Sequence, residues 1–114
     1  MALVTWQTLE RLGMTLIGRA NGGRHMSRSV AEREFRSHFG CNPKVAIDMW
    51  YLSDLPPKTQ PKHFMWGLMM IMVYSSEETM SKMAACDKKT FRKWSWTCVF
   101  AMADVLPLIV SHTV

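Results

Sequence analysis

Apolar positions divide the chain into six helical segments separated by strong breakers. Trp6, Leu9, Leu12, Leu16 and Ile17 recur at about the 3.6-residue period, which predicts a first helix over about Thr5 to Arg19. Gly13 and Gly18 work against it, at roughly 1 kcal/mol each relative to Ala. Asn21, Gly22 and Gly23 then break the chain in a flexible basic loop, NGGRHMSR. A second helix starts near Ser27 or Ser29 and ends at Phe39, with Val30, Ala31, Phe35, His38 and Phe39 on roughly one side. Glu32 and Arg36 are an i, i+4 pair in the favourable order, and Gly40 stands where a helix terminator is expected. Asn42 as N-cap and Pro43 at the first helical position open a third helix, which runs through Val45, Ile47, Met49, Trp50 and Leu52 to about Ser53. It is apolar on most sides, which predicts a central place in the fold.

Pro56, Pro57 and Pro61 forbid a continuous helix across DLPPKTQPKH. Pro61 opens a fourth helix carrying Phe64, Trp66, Leu68, Met69, Ile71, Met72 and Val73, the most hydrophobic element and the expected core. Ser75 or Ser76 caps a fifth, with Glu78 or Thr79 at its N3 position; Ser75 with Glu78 fits the capping box. Met80, Met83 and Ala84 give this short helix an inner face. Asp87 caps the sixth, which runs to about Leu106 before Pro107 stops it. Phe91, Trp94, Cys98, Met102 and Val105 recur along it at the spacing of a buried stripe.

These segments predict an all-α fold: a single small helical bundle of five to six helices containing a helix-turn-helix-like unit. The eleven Met residues agree, since Met favours helices and fills irregular gaps. Val, Ile and Thr are too scattered to support strands. At 114 residues the chain has the length of one domain, and roughly two-thirds of its unfolded surface can be buried at that size. The expected layout is an N-terminal helix and flexible basic loop over 1–28, a helix-turn-helix-like domain over 29–106 and a short apolar tail over 107–114.

Several chemistries find no support. Three cysteines, Cys41, Cys86 and Cys98, stand far apart with no CxxC spacing, against a disulfide scaffold or a zinc site. Reduced thiols and a cytosolic or nuclear compartment follow. The four histidines, His25, His38, His63 and His112, form no i, i+4 pair and are expected at the surface or in caps rather than as metal ligands. Trp6, Gln7 and Thr8 stand where a secretory leader would be apolar. The longest apolar run, Phe64 to Tyr74, has eleven residues, against about 20 for a membrane span. The later run from Trp94 to Val110 is interrupted by Asp104 and Pro107, so no membrane partner is expected.

Charge singles out one element. The net charge of +5 permits a polyanionic partner without demanding one. Lys88, Lys89, Arg92 and Lys93 crowd the first turn and a half of the sixth helix. Cations there oppose the positive end of the helix dipole. Two readings fit: a face that meets a polyanion, as the second helix of a helix-turn-helix meets DNA, or a solvated basic face. Lys89, Arg92, Lys93 and Trp96 recur at i, i+3, i+4 and i+7 and share a side turned away from the Phe91 to Met102 stripe. Lys82 on the preceding helix is a fifth candidate cation. Thr90 serves either the helix start or a phosphate. Trp96 is expected to pack on a neighbouring helix, with nucleic-acid stacking the less favoured role. Phe91 and Trp94 are expected in the core.

The segments FRSHFGCNPKVAIDMWYL and PKHFMWGLMMIMVYSSEETMSKMAACDKKTFRKW resemble the N-terminal region of Harbinger-like DDE transposase-derived proteins. The matching residues are Phe35, Arg36, His38, Phe39 and Gly40; then Pro61, Lys62, His63 and Trp66; then Asp87, Lys88, Lys89, Thr90, Phe91, Arg92, Lys93 and Trp94. The resemblance covers about Glu34 to Asp104. It implies a helical, helix-turn-helix-like DNA-binding region that in full-length relatives precedes an RNase H-like catalytic domain. In that domain three carboxylates hold two divalent metals. This chain departs from the pattern after Asp104, continuing only as VLPLIVSHTV. Its four Asp and five Glu form no pattern that matches the family's metal-binding cluster. A nucleophile elbow and a P-loop are also missing from the sequence. The expectation is therefore a non-enzymatic, cofactor-free and metal-free nuclear module that binds duplex DNA through Lys88, Lys89, Thr90, Arg92, Lys93 and Lys82. The alternatives are a protein-interaction domain with a Met-rich surface, and a subunit that works with a DDE domain on another chain.

Overall fold

Most helices start where a polar side chain can take up the first unpaired amides. Thr5 and Thr8 form a reciprocal capping box: Thr5 Oγ1 accepts from the Thr8 N–H at 3.4 Å and the Thr5 N–H donates to Thr8 Oγ1 at 3.3 Å. Ser27 Oγ accepts from the Val30 N–H, and Asn42 Oδ1 accepts from the Val45 N–H at 2.8 Å with Pro43 at the first helical position. In a computed structural model of the chain, residues 3–18, 27–73, 77–103 and 105 are described. They form α1 (Trp6–Leu16), α2 (Arg28–Phe39), α3 (Pro43–Leu52), α4 (Pro61–Val73), α5 (Glu77–Met83) and α6 (Lys88–Met102). Among the described residues there is no strand. The protein is an all-α bundle.

Helix ends depart from expectation more than starts. α1 stops at Leu16 because Gly18 enters the left-handed region at φ +78° and its N–H bonds back to Thr15 O. α6 stops at Met102. Arg19, Leu106 and the proposed Ser75 or Ser76 cap lie outside the described residues.

The centre belongs to α4. Every residue from His63 to Met69 is buried, so this helix is enclosed on all sides over two turns. α1, α2 and α6 all pack against it. α3 was expected to be central and is not. It buries Pro43, Ala46 and Met49 against α1 and α2, while Tyr51 and Leu52 are 57% and 61% exposed. The Tyr51 hydroxyl instead reaches out to Val4 O at 2.6 Å. An apolar pattern on several faces records affinity for a core, and α4 had the longer run to fill it.

Two glycines mark close approaches between helices. A Cβ on Gly13 would lie 2.8 Å from the ring edges of both Phe35 and Phe39, so α1 and α2 could not cross as they do with any larger residue there. A Cβ on Gly67 would lie 2.9 Å from Cys98 Cβ, which fixes the α4–α6 approach. The inward line of α6 is Phe91, Ser95, Cys98 and Met102. Ser95 takes a place the stripe had given to Trp94, which is only half-buried. Its buried hydroxyl is satisfied by donating to Phe91 O at 2.6 Å.

Candidate nucleic-acid interface

The turn ahead of α6 is set by backbone bonds. The Cys86 N–H donates to Ser81 O and the Ala85 N–H to Lys82 O, the paired bonds of a Schellman motif, with Ala85 at φ +56°. Asp87 then caps α6. Its carboxylate accepts from the Thr90 N–H at 3.2 Å and from the Thr90 hydroxyl at 2.6 Å. The Thr90 hydrogen bonds hold Asp87 below the usual carboxylate range. Of the two roles expected for Thr90, the helix start is the one its hydroxyl serves.

Lys88, Lys89, Arg92 and Lys93 are all exposed in the first turns of α6, and no acidic residue shares its first turn. The Lys93 ammonium lies 5.2 Å from the Trp94 ring centroid. Lys82 is placed differently. It sits in the last turn of α5, with its ammonium 3.9 Å from the Glu78 carboxylate in an exposed i, i+4 pair.

The underside of these turns is held by aromatic contacts. His63 stacks on Trp94 at 4.2 Å with planes 9° apart and meets Trp66 edge-on at 4.9 Å, while Trp66 packs on Phe91 at 5.6 Å. His63 is only 5% exposed. It does cap α4, its Nδ1 accepting from the Gln60 N–H at 3.1 Å, but it does so from the interior rather than the surface. Burial, and then the neighbouring Lys62 charge, push its pKa down to about 4, so the ring is neutral near pH 7. The sequence left this histidine between surface and cap. The stacking partner comes from another helix, so the burial had no local signal.

Trp96 also differs from expectation. It is 44% exposed and packs only partly, its ring 5.7 Å from that of Phe100, which is 72% exposed. α4 meets α6 at Cys98 and Met102, on the side of the helix away from Trp96.

Other chemistry is sparse. No group of three or more His, Cys, Asp or Glu comes together among the described residues. Burial pushes Cys41 up to about 11 and Cys98 up to about 12, and burial together with the Asp87 charge raises Cys86, so all three thiols stay protonated at neutral pH. A groove of about 180 Å³ runs between α1, α4 and the α5–α6 turn, lined by Leu12, Leu16, Met65, Trp66 and Met83 with Lys62 as its cation. Among the described residues no helix is long and apolar enough to cross a membrane. No protein-family model matches the chain, and neither a curated protein nor a solved structure does.

Proposed function

We propose that this protein is a non-catalytic, nuclear DNA-binding module that holds duplex DNA through α6. One observation carries the reading: four cations stand exposed in the first turns of a helix whose opposite side is locked into the core. Phosphates would neutralise that charge and release counterions. The connection from α5 through the Ala85 turn to α6 suits a helix-turn-helix unit, in which the second helix meets DNA. The resemblance of DKKTFRKW and its flanks to transposase-derived DNA-binding regions points the same way. Lys88, Lys89 and Lys93 are assigned to phosphates, which set position. Arg92 is assigned to a base edge, since a guanidinium can bind guanine in two places. Thr90 is assigned to the cap, and Lys82 is a lesser contact because Glu78 offsets its charge.

The test is fluorescence anisotropy with duplex DNA across a salt series. Wild-type affinity should fall steeply with salt. Removing one lysine should reduce the magnitude of the slope by roughly one unit, and Arg92→Ala should cost about 1–3 kcal/mol on a preferred site and less elsewhere. A Lys88/Lys89/Arg92/Lys93→Ala variant that binds as tightly as wild type would refute the reading. The protein-interaction alternative rests on less than the sequence suggested. Met49, Met65, Met69, Met80 and Met102 are buried, and Met83 is the exposed methionine among the described residues. What favours that alternative is the exposed Trp96–Phe100 pair.

A further inference from the structure

The Trp96–Phe100 pair is unexplained by phosphate contacts, and its placement is specific. Lys89, Lys93, Trp96 and Phe100 recur at i, i+4, i+7 and i+11, so cations and rings line one side of α6. At 1.5 Å per residue the second ring lies about 12 Å along the helix from Arg92. Both rings are exposed and lean together at 34°. Their outer faces are left to solvent, and water is a poor partner for them.

Resting on the DNA-binding reading, we propose that this pair takes unpaired bases adjoining the duplex that the basic turns hold. The preferred ligand is then duplex DNA bearing a single-stranded segment. In an intact duplex the base faces are stacked and hidden, and the grooves show only edges. Phe100 has no hydrogen-bonding group with which to read an edge. Splayed bases offer what the two rings lack, a flat π surface, and the phosphates between them supply the charge that Lys89 and Lys93 complement. The cations ahead of the rings set the order along α6: duplex backbone at the N-terminal turns, unpaired bases at the C-terminal ones.

Anisotropy with a blunt duplex, the same duplex carrying a short single-stranded extension, and the single strand alone tests this. The variants are Trp96→Ala/Phe100→Ala and the conservative Trp96→Phe, both checked for helicity by circular dichroism. The extension should tighten wild-type binding roughly tenfold or more, and the double variant should lose that gain while its blunt-duplex affinity stays within about twofold. Trp96→Phe should keep most of the gain. Equal wild-type affinity for blunt and extended duplex would overturn the proposal, as would a gain that survives in the double variant. If blunt duplex binds with steep salt dependence and the extension adds nothing, this inference falls alone. If none of the three probes binds, the DNA reading falls with it. A face built for an acidic protein would leave the probes indistinguishable and the double variant unchanged, which also overturns the proposal.

Discussion

Replacing Gly67 with Ala sets two effects of known sign against each other. By intrinsic propensity the change should stabilise α4 by about 1 kcal/mol, because Gly is the poorer helix former. The new methyl group, however, would stand 2.9 Å from Cys98 Cβ, 3.0 Å from Met102 Cε and 3.3 Å from Ser95 O. Carbon atoms prefer about 3.5–4.0 Å. The Met102 methyl can swing aside. Cys98 Cβ and Ser95 O are tied to the α6 backbone and cannot, so α4 and α6 must part by roughly half an ångström to restore that spacing. Overpacking of this kind costs about 1–3 kcal/mol, so the clash wins. The expected net loss is about 1 kcal/mol for Gly67→Ala, and about 3 kcal/mol for Gly67→Val, which adds bulk and β-branching. Urea unfolding followed by tryptophan fluorescence reads the change as a lower midpoint at constant slope. A Gly67→Ala midpoint at or above wild type would mean that propensity outweighs contact and that the α4–α6 approach is not tight.

Two further outcomes follow from the turn and from the buried ring. Ala85 holds φ +56°, a region that costs an alanine roughly 1–2 kcal/mol and glycine little. The entropy glycine loses on folding takes back about half of that gain, so Ala85→Gly should raise the thermal midpoint by about 2–6 °C, and a drop would contradict the left-handed turn. His63 has its pKa pushed down to about 4 in the fold, whereas the unfolded chain titrates near 6.5. The unfolded state then binds more protons between those values. The contribution of His63 is complete above about pH 6.5 and is lost as pH falls toward 4. Urea midpoints taken across that window should fall in wild type and stay flat in His63→Phe, apart from a constant loss of the Gln60 hydrogen bond; a slope unchanged in the variant would assign the acid sensitivity to other groups.

Most of the secondary structure was legible because its signals are local. Ser27, Asn42 with Pro43, and Asp87 each accept from an amide three residues on, and that spacing is written in the chain. The core helix was legible because His63 to Met69 contains no surface-facing polar stripe. What failed needed a neighbour. Gly13 read as a weak point in its helix and Gly67 drew no reading, yet each sits where a second helix leaves no room for a side chain. The outward rank of α3 depended on α4 winning the centre. The sequence left His63 between surface and cap, and its burial draws on Trp94 stacking over it from α6. Trp96 was placed on the basic side by spacing alone, and its exposure followed from α4 lying on the opposite side.

The same division explains how α6 can carry charge at its least favourable end. Lys88 and Lys89 oppose the helix dipole by roughly 0.3–1 kcal/mol each, and the effect fades beyond the first turn, where Arg92 and Lys93 stand. Burying Phe91 alone contributes about 1.5–3 kcal/mol, and Phe91, Cys98 and Met102 are all fully buried. The inner stripe therefore sets the stability of α6, and its outer face is left open to other demands. The dipole disfavours Lys88 and Lys89 at that end, while Lys93 lies over the Trp94 ring. Replacing Lys88, Lys89, Arg92 and Lys93 together should accordingly leave the helical content intact and the thermal midpoint close to wild type, since the relief at the dipole and the lost Lys93–Trp94 contact have opposite signs. A lost affinity for DNA in that variant would then report on the surface itself rather than on a damaged fold.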